Sequence, residues 1–338
     1  MTKERVLNFL KQGNLLTRIR RRAKPTDVFH GFEHSIGLSY QNIQMDRLSV
    51  DATKLSYRYP LGCKYVGNQR VLSPGLATAL MDELSTQLIG GGALAPPGVS
   101  VSFHTHWFPR RLDKEDLDIE YVDIINTITK AGKTIAHTRT EFVTPDQQMI
   151  GYSTHVKFLP TGNFFLDTLM SSYPPWQSSA LSNFANRWLP TASSTTTTEQ
   201  DARSPATVAH ELVQERLTMT SSELGKAQFQ MTDEHTNGFG GLHGGCITMV
   251  MEKVAEPYAQ EKLGGVNSIE MESLQVQFLA AGRGKPQLQV SCQTIDHIVQ
   301  DDRQILMVRV DISQTKKDKT TIVLAQGTLK FTAPHLKK

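Results

Sequence analysis

The chain has 338 residues, three cysteines and a formal net charge of +3. So balanced a charge leaves no electrostatic footprint for nucleic acid. Cys63, Cys246 and Cys292 have neither disulfide nor zinc spacing, which makes a reducing compartment the default. No apolar run approaches the ~20 residues that span a bilayer, and the length accommodates two domains with ordinary cores.

In chain order, the first 24 residues carry Lys3, Arg5, Lys11, Arg18, Arg20, Arg21, Arg22 and Lys24 against one acid, Glu4. Val6, Leu7, Leu10, Leu15, Leu16 and Ile19 are interleaved among them. A mitochondrial transit peptide has this pattern, and so does a solvated basic helix docked on a domain, so the expected location is mitochondrial or cytoplasmic. A secretory signal is not expected, because no uninterrupted apolar core follows the basic residues. Residues 1–40 are read as a basic N-terminal extension. Strand-like sequence at 48–59 leads to a helical run over 72–88, closed by Gly90, Gly91 and Gly92. Strand-like segments follow at 99–108, 117–129, 134–144 and 149–159.

Residues 171–204 are rich in Ser, Thr and Pro and cannot bury enough apolar surface to fold alone. A linker is assigned to 163–222, with Trp176, Phe184 and Trp188 available to pin parts of it to a domain surface. Beyond it, strand-like sequence at 227–232 precedes a helix over 244–262 that ends at Gly264 and Gly265. Strands are expected at 269–279, 287–299, 304–314 and 321–331. The two halves, 41–162 and 223–334, thus share a plan of one helix followed by four strands, a duplication of elements whose residues have diverged. A helix lying on a strongly twisted antiparallel sheet satisfies the two-layer rule, giving an α+β class. One such half leaves a sheet edge open, and pairing the two sheets would close it.

The most telling stretch is Asn237-Gly-Phe-Gly-Gly-Leu-His243-Gly244-Gly245, which sets an amide, a histidine and two glycines at a helix start. Free N–H groups there form a ready oxyanion site, and glycine lets a carbonyl approach closely. Other residues carry little singly. Asp82 reads as a polar residue on an exposed helix face, and His243 alone as a loop histidine. Ser100 alternates with Val99, Val101 and Phe103, as any opposite-face strand residue would. His30-Gly-Phe-Glu-His34 has the spacing of an inverted zinc-protease motif. Glycines at 31 and 37 weaken the helix that motif needs and no third ligand is evident, so no metal is expected. His104 and His106 share a strand face and read as packing or substrate-groove residues.

The run Asp233-Glu-His-Thr-Asn237 through His243-Gly-Gly resembles the active-site opening of PaaI-like hotdog-fold acyl-CoA thioesterases. Gly98-Val-Ser100-Val continuing to Pro109, and Ala131-Gly-Lys133-Thr-Ile-Ala-His-Thr, resemble the strand region of the same family. The resemblance implies a double hotdog, each half a long helix wrapped by a twisted antiparallel sheet, with the halves paired as an intramolecular pseudo-dimer. The family pattern sets Asn, His and Gly ahead of the helix, an acid on it, and Ser or Thr on the next strand. In the second half these positions hold Asn237, His243, Gly244, Glu252 and Met271; in the first, Gly67, Ser73, Pro74, Asp82 and Ser100.

Gly244 and Glu252 lie about 12 Å apart along a helix rising 1.5 Å per residue. The resemblance therefore implies that the amide end of one helix faces the acid of the other. Asn237, His243 and Gly244 with Asp82 and Ser100 fill every role. Gly67, Ser73 and Pro74 with Glu252 and Met271 do not, since proline has no N–H and methionine cannot orient water. One composite site per chain is expected, with Gly244 N–H on the oxyanion, Asp82 as base or nucleophile, and Glu252 as the alternative acid. Gly245 and Thr86 would contact substrate, and Arg110, Arg111, Lys133, Arg283 and Lys285 would meet the coenzyme A arm. The expected partner is an acyl-CoA substrate, with no cofactor, no nucleic acid, no membrane span and further homo-oligomerisation open. The rival readings are a non-catalytic hotdog scaffold and a hotdog hydratase or dehydratase.

Overall fold

The computed structural model describes residues 32–38, 44, 47, 49, 53–61, 72–91, 99–108, 119–159, 205–220, 223–237, 241–266, 268–282, 286–300, 302–316 and 318–334. In chain order these form α1 (Phe32–Ser35), β1 (Lys54–Pro60), α2 (Pro74–Gly91), β2 (Val99–Trp107), β3 (Tyr121–Ala131), β4 (Ile135–Val143) and β5 (Met149–Phe158). Then come α3 (Pro205–Gln214), β6 (Leu217–Met219), β7 (Lys226–Gln230), a 3₁₀ turn (Asp233–His235), α4 (Gly244–Lys262), β8 (Glu270–Phe278), β9 (Gln287–Val299), β10 (Arg303–Thr315) and β11 (Thr321–Pro334). The helix and strand expectations are met within a few residues at most ends. Mixed α and β elements are present, with one antiparallel sheet dominating.

That sheet has eleven strands in the order β1-β3-β4-β5-β2-β8-β11-β10-β9-β7-β6. Its two parts meet where β2 pairs antiparallel with β8, Ser102 opposite Gln277 and His106 opposite Ser273. Two edges that would otherwise lie open are thereby satisfied. The long helices α2 and α4 pack against the sheet and against each other. Their approach is close enough that a Cβ added at Gly245 would stand 2.5 Å from the Ala79 Cα.

Local chemistry sets the ends of both helices. Ser73 precedes α2, and its Oγ accepts the Leu76 N–H at 3.2 Å, while Pro74 occupies the first helical position, where a missing N–H costs nothing. His243 caps α4, its Nδ1 accepting the Gly245 N–H at 2.9 Å. At the far end Gly264 and Gly265 take φ of +84° and +73°, a left-handed conformation that stops the helix. α2 is buried nearly all round, consistent with its place between sheet and α4.

At the borders of the halves, parts of the spans read as extension and linker are folded. The span read as linker ends in structure: α3 buries Ala206, Ala209 and Val213, and β6 joins the sheet beside β7. Its amphipathic spacing was masked by the Ser- and Thr-rich sequence before it. Nor is all of 1–40 a peripheral extension. Phe32 and Ile36 are fully buried, Tyr59 Oη donates to the Ile36 carbonyl at 2.9 Å, and Phe32 N–H donates to the Thr236 carbonyl at 3.3 Å. The basic residues of 1–24, Cys63 and residues 163–204 lie outside the described residues. Among the described residues no helix is long and apolar enough to cross a membrane.

Candidate active site

The loop before α4 is closed by its own polar groups. Thr236 bridges Leu242, Asn237 N–H donates to the Gly241 carbonyl at 2.8 Å, and Asn237 Oδ1 accepts the Gly241 N–H at 3.1 Å. His243 N–H donates to the His235 carbonyl at 3.0 Å. This loop delivers Gly244 to the first position of α4, where its N–H has no partner one turn back in the helix.

Facing that helix start is Asp82, from the middle of α2. A Cβ added at Gly244 would stand 2.7 Å from Asp82 Oδ2 and 3.2 Å from the ring ends of Phe103 and Phe278. His243 flanks the same space, its Nδ1 3.6 Å from Asp82 Oδ2 and its Nε2 3.7 Å from Glu83 Oε2. Both separations exceed hydrogen-bond length. Because Nδ1 already accepts the Gly245 N–H, the proton of a neutral His243 belongs on Nε2. The Phe32 ring lies 5.2 Å from the imidazole, so the end of the N-terminal segment forms one wall here.

The other oxygen of Asp82 is held from the sheet. Ser100 Oγ donates to Oδ1 at 2.9 Å, and the Lys157 Nζ stands 4.0 Å away. Ser100 reaches this position through a β-bulge. β2 faces β5 with Ser100 opposite Lys157 but Ser102 opposite Val156, so Val101 is the extra residue. The insertion reverses the alternation expected from the sequence. Val99 and Val101 point outward, 63% and 41% exposed, while Ser100 shares the inner side with buried Phe103.

Sequence reasoning missed His155 and Lys157 altogether. On β5 the buried side is Ser153, His155 and Lys157, whereas Phe158 is exposed and Val156 only partly covered. Apolar patterning alone would turn that strand the other way. The available signal was a polar set at every second position of a strand, which is worth attention when it includes His and Lys. His155 is fully buried, and burial, aided by the Lys157 charge, lowers its pKa well below the ordinary value, so it is neutral. Burial also lowers the Lys157 pKa, against the opposing pull of Asp82 and Glu83.

Of the expected substrate contacts, Thr86 lies half-buried one turn beyond Asp82, donating to the Asp82 carbonyl at 2.6 Å and accepting from Lys157 Nζ. Gly245 sits at the crossing of the two helices, its N–H held by His243. Lys133 is exposed in the turn between β3 and β4, at the end of the sheet that carries Ser100 and Lys157. Arg110, Arg111, Arg283, Lys285, Gly67 and His30 lie outside the described residues, as do the side chains of Glu33 and His34. His104 and His106 stand 4.3 Å apart beside the β2–β8 seam, with His106 stacked on Tyr152.

The related position in the other half is built differently. Ser73 Oγ donates to Glu252 Oε2 at 2.5 Å, and a Cβ at Gly75 would stand 2.5 Å from the same oxygen. Here the carboxyl itself fills the helix start, with the Gly75 N–H also donating to it. Burial, with Glu256 nearby, raises its pKa to about 7. Met271 is buried on β8, opposite Phe331. The acid of each helix thus faces the start of the other; Asp82 has Ser100 and Lys157 on its far oxygen Oδ1, whereas Glu252 takes the Ser73 hydroxyl at the helix start itself.

No protein-family profile and no curated protein sequence matches the chain. Among solved structures it is similar to a 12:0-ACP thioesterase from Umbellularia californica, at 8% identity and a TM-score of 0.50, covering 86% of this chain and 97% of that one. An acyl-ACP thioesterase from Bacteroides thetaiotaomicron matches at 9% identity and a TM-score of 0.46, with 82% and 98% covered. An acyl-CoA thioesterase II from Mycobacterium marinum matches at 11% identity and a TM-score of 0.43, with 85% and 93% covered. At 8% identity the first of these is a likeness of fold alone: a large antiparallel sheet carrying long helices, consistent with the hotdog type of architecture.

Proposed function

We propose that this chain is a thioester hydrolase acting on acyl-CoA, a PaaI-like tandem hotdog whose halves form an intramolecular pseudo-dimer with one composite site. The observation that carries the reading is the meeting of Asp82 Oδ2 with the start of α4 at Gly244. A thioester carbonyl placed there has the Gly244 N–H for its developing oxyanion, an interaction worth roughly 10²–10³ in rate. Asp82 then takes a proton from water as the water oxygen attacks, or adds to the carbon itself and is later released by water. In the first route the C–S bond breaks as the proton taken by Asp82 passes to the departing sulfur. In the second the thiolate leaves as the acyl-Asp82 anhydride forms, and the water that then opens the anhydride supplies the proton that the thiolate takes up. Asn237 and His243, at the mouth of the same helix, orient the thioester or stabilise the departing sulfur. Glu252, hydrogen-bonded to Ser73 at the start of α2, serves instead as a cap there that is uncharged below about pH 7.

Thiol release from a panel of acyl-CoAs by wild type, Asp82→Asn and Glu252→Gln tests this. The expected result is loss of hydrolysis in Asp82→Asn with Glu252→Gln near wild type. Loss confined to Glu252→Gln would overturn the pairing of the halves, and a wild type inert on every chain length would favour the scaffold reading.

A further inference from the structure

Behind Asp82 runs a buried chain of polar groups that the hydrolytic scheme leaves without a role. Ser100 Oγ lies 2.9 Å from Asp82 Oδ1 and 3.1 Å from His155 Nε2, and His155 Nδ1 lies 2.7 Å from Ser85 Oγ. Each hydroxyl has one proton and can donate in one direction only, so the chain has two self-consistent arrangements. In the first, His155 carries its proton on Nε2 and donates to Ser100, which donates to Asp82, while Ser85 donates to Nδ1. In the second, Nδ1 holds the proton and donates to Ser85, which donates to the Asp82 carbonyl 3.1 Å away. Ser100 then turns its proton to Nε2, and Asp82 Oδ1 loses its hydroxyl partner.

The first arrangement wins on physical grounds. A hydroxyl donating to a carboxylate makes a charge-assisted bond, roughly twice as strong as one to a neutral imidazole. Asp82 and His155 are buried and Ser100 is partly so, which limits the screening of that difference by water. The order of lengths agrees, since Ser100 is nearer Asp82 than His155.

We propose that His155 is a positioning residue: as the Nε2–H tautomer it commits Ser100 to Asp82 Oδ1, leaving Oδ2, beside Gly244, as the single reactive oxygen. This rests on the hydrolase reading. Lys157, joined to Thr86 and facing the same oxygen, supports Oδ1 from the next inward position of β5. The carboxylate therefore cannot rotate its oxygens between roles without breaking the chain, which is the preorganisation a base or nucleophile needs.

Steady-state kinetics of His155→Phe, His155→Gln and His155→Asn on the best acyl-CoA substrate of the wild type provide the test. The Gln amide reaches the Nε2 position and can donate to Ser100, whereas the shorter Asn amide reaches only the Ser85 side. The expected result is a kcat at least tenfold lower for Phe and Asn, KM within about twofold of wild type, and recovery of most of kcat with Gln. If the Phe variant does not fold, the Gln and Asn pair decides. Equal losses in Gln and Asn, or a change in KM alone, would overturn the proposal while wild-type turnover leaves the hydrolase reading standing. Independently, the imidazole ¹⁵N shifts of His155 in the wild type should show a protonated Nε2 and a bare Nδ1; the reverse would refute the proposed arrangement even in a protein with no activity.

Discussion

Glu252→Gln offers the sharpest physical test, because it isolates one buried proton. The carboxyl is 4% exposed, receives the Ser73 hydroxyl at 2.5 Å, and titrates at about 7 rather than 4.5, chiefly through burial and secondarily through Glu256. Between those two values the folded protein holds a proton that the unfolded chain has released. A raised carboxyl pKa contributes fully below about 4.5, and its contribution is lost as the pH climbs through about 7. At ~1.4 kcal/mol per pH unit, the interval removes about 3 kcal/mol. Glutamine keeps the side-chain shape and an acceptor oxygen for Ser73 and Gly75, yet does not titrate. Urea unfolding of both proteins from pH 4.5 to 8.5 should therefore give curves that diverge, the variant gaining about 3 kcal/mol on the wild type across the range. Parallel curves would show that Glu252 ionises as readily in the folded protein as in the unfolded one, and the uncharged-cap account of the second site would fail.

Two neighbouring glycines should respond in opposite ways. Gly244→Ala sets a methyl 2.7 Å from Asp82 Oδ2 and so displaces the carboxylate; under the proposed mechanism it should cost at least about 100-fold in kcat/KM, a loss larger than any accompanying fall in Tm accounts for. Gly245→Ala drives its Cβ into the Ala79 backbone and should lose about 1–3 kcal/mol in urea unfolding; an unchanged midpoint would mean the helices separate freely. Phe32→Ala empties a fully buried site and should cost about 3–5 kcal/mol, measured by calorimetry, whereas a truly peripheral segment would show no loss. Asp123 is 2% exposed and takes Arg58 Nε at 2.9 Å and Arg47 at 3.1 Å. Both arginines keep contact with water, their side chains 41% and 48% exposed, so Asp123→Asn should destabilise by about 1–2 kcal/mol, an effect that chemical denaturation would resolve.

Much of the architecture was written locally. Gly264 and Gly265 mark the end of α4 because they can adopt left-handed backbone, Pro74 suits the first position of α2, and the long β-rich segments fall where β8 to β11 form. The Asn237–Gly245 run also announced a helix start with exposed amides, since capping depends on neighbours in sequence. What sequence alone could not decide was which way the strands face. A single extra residue at Val101 turns Ser100 inward, and buried contacts turn His155 and Lys157 inward although the apolar residues of β5 argue for the other side. The burial of Phe32 and the folding of α3 were not legible for a related reason: short segments beside polar sequence gain their stability only from the surfaces they cover. Local bonding thus determined where helices and strands begin and end. The side chains gathered around Asp82 were set by register and burial, which exist only once residues distant in sequence have packed together.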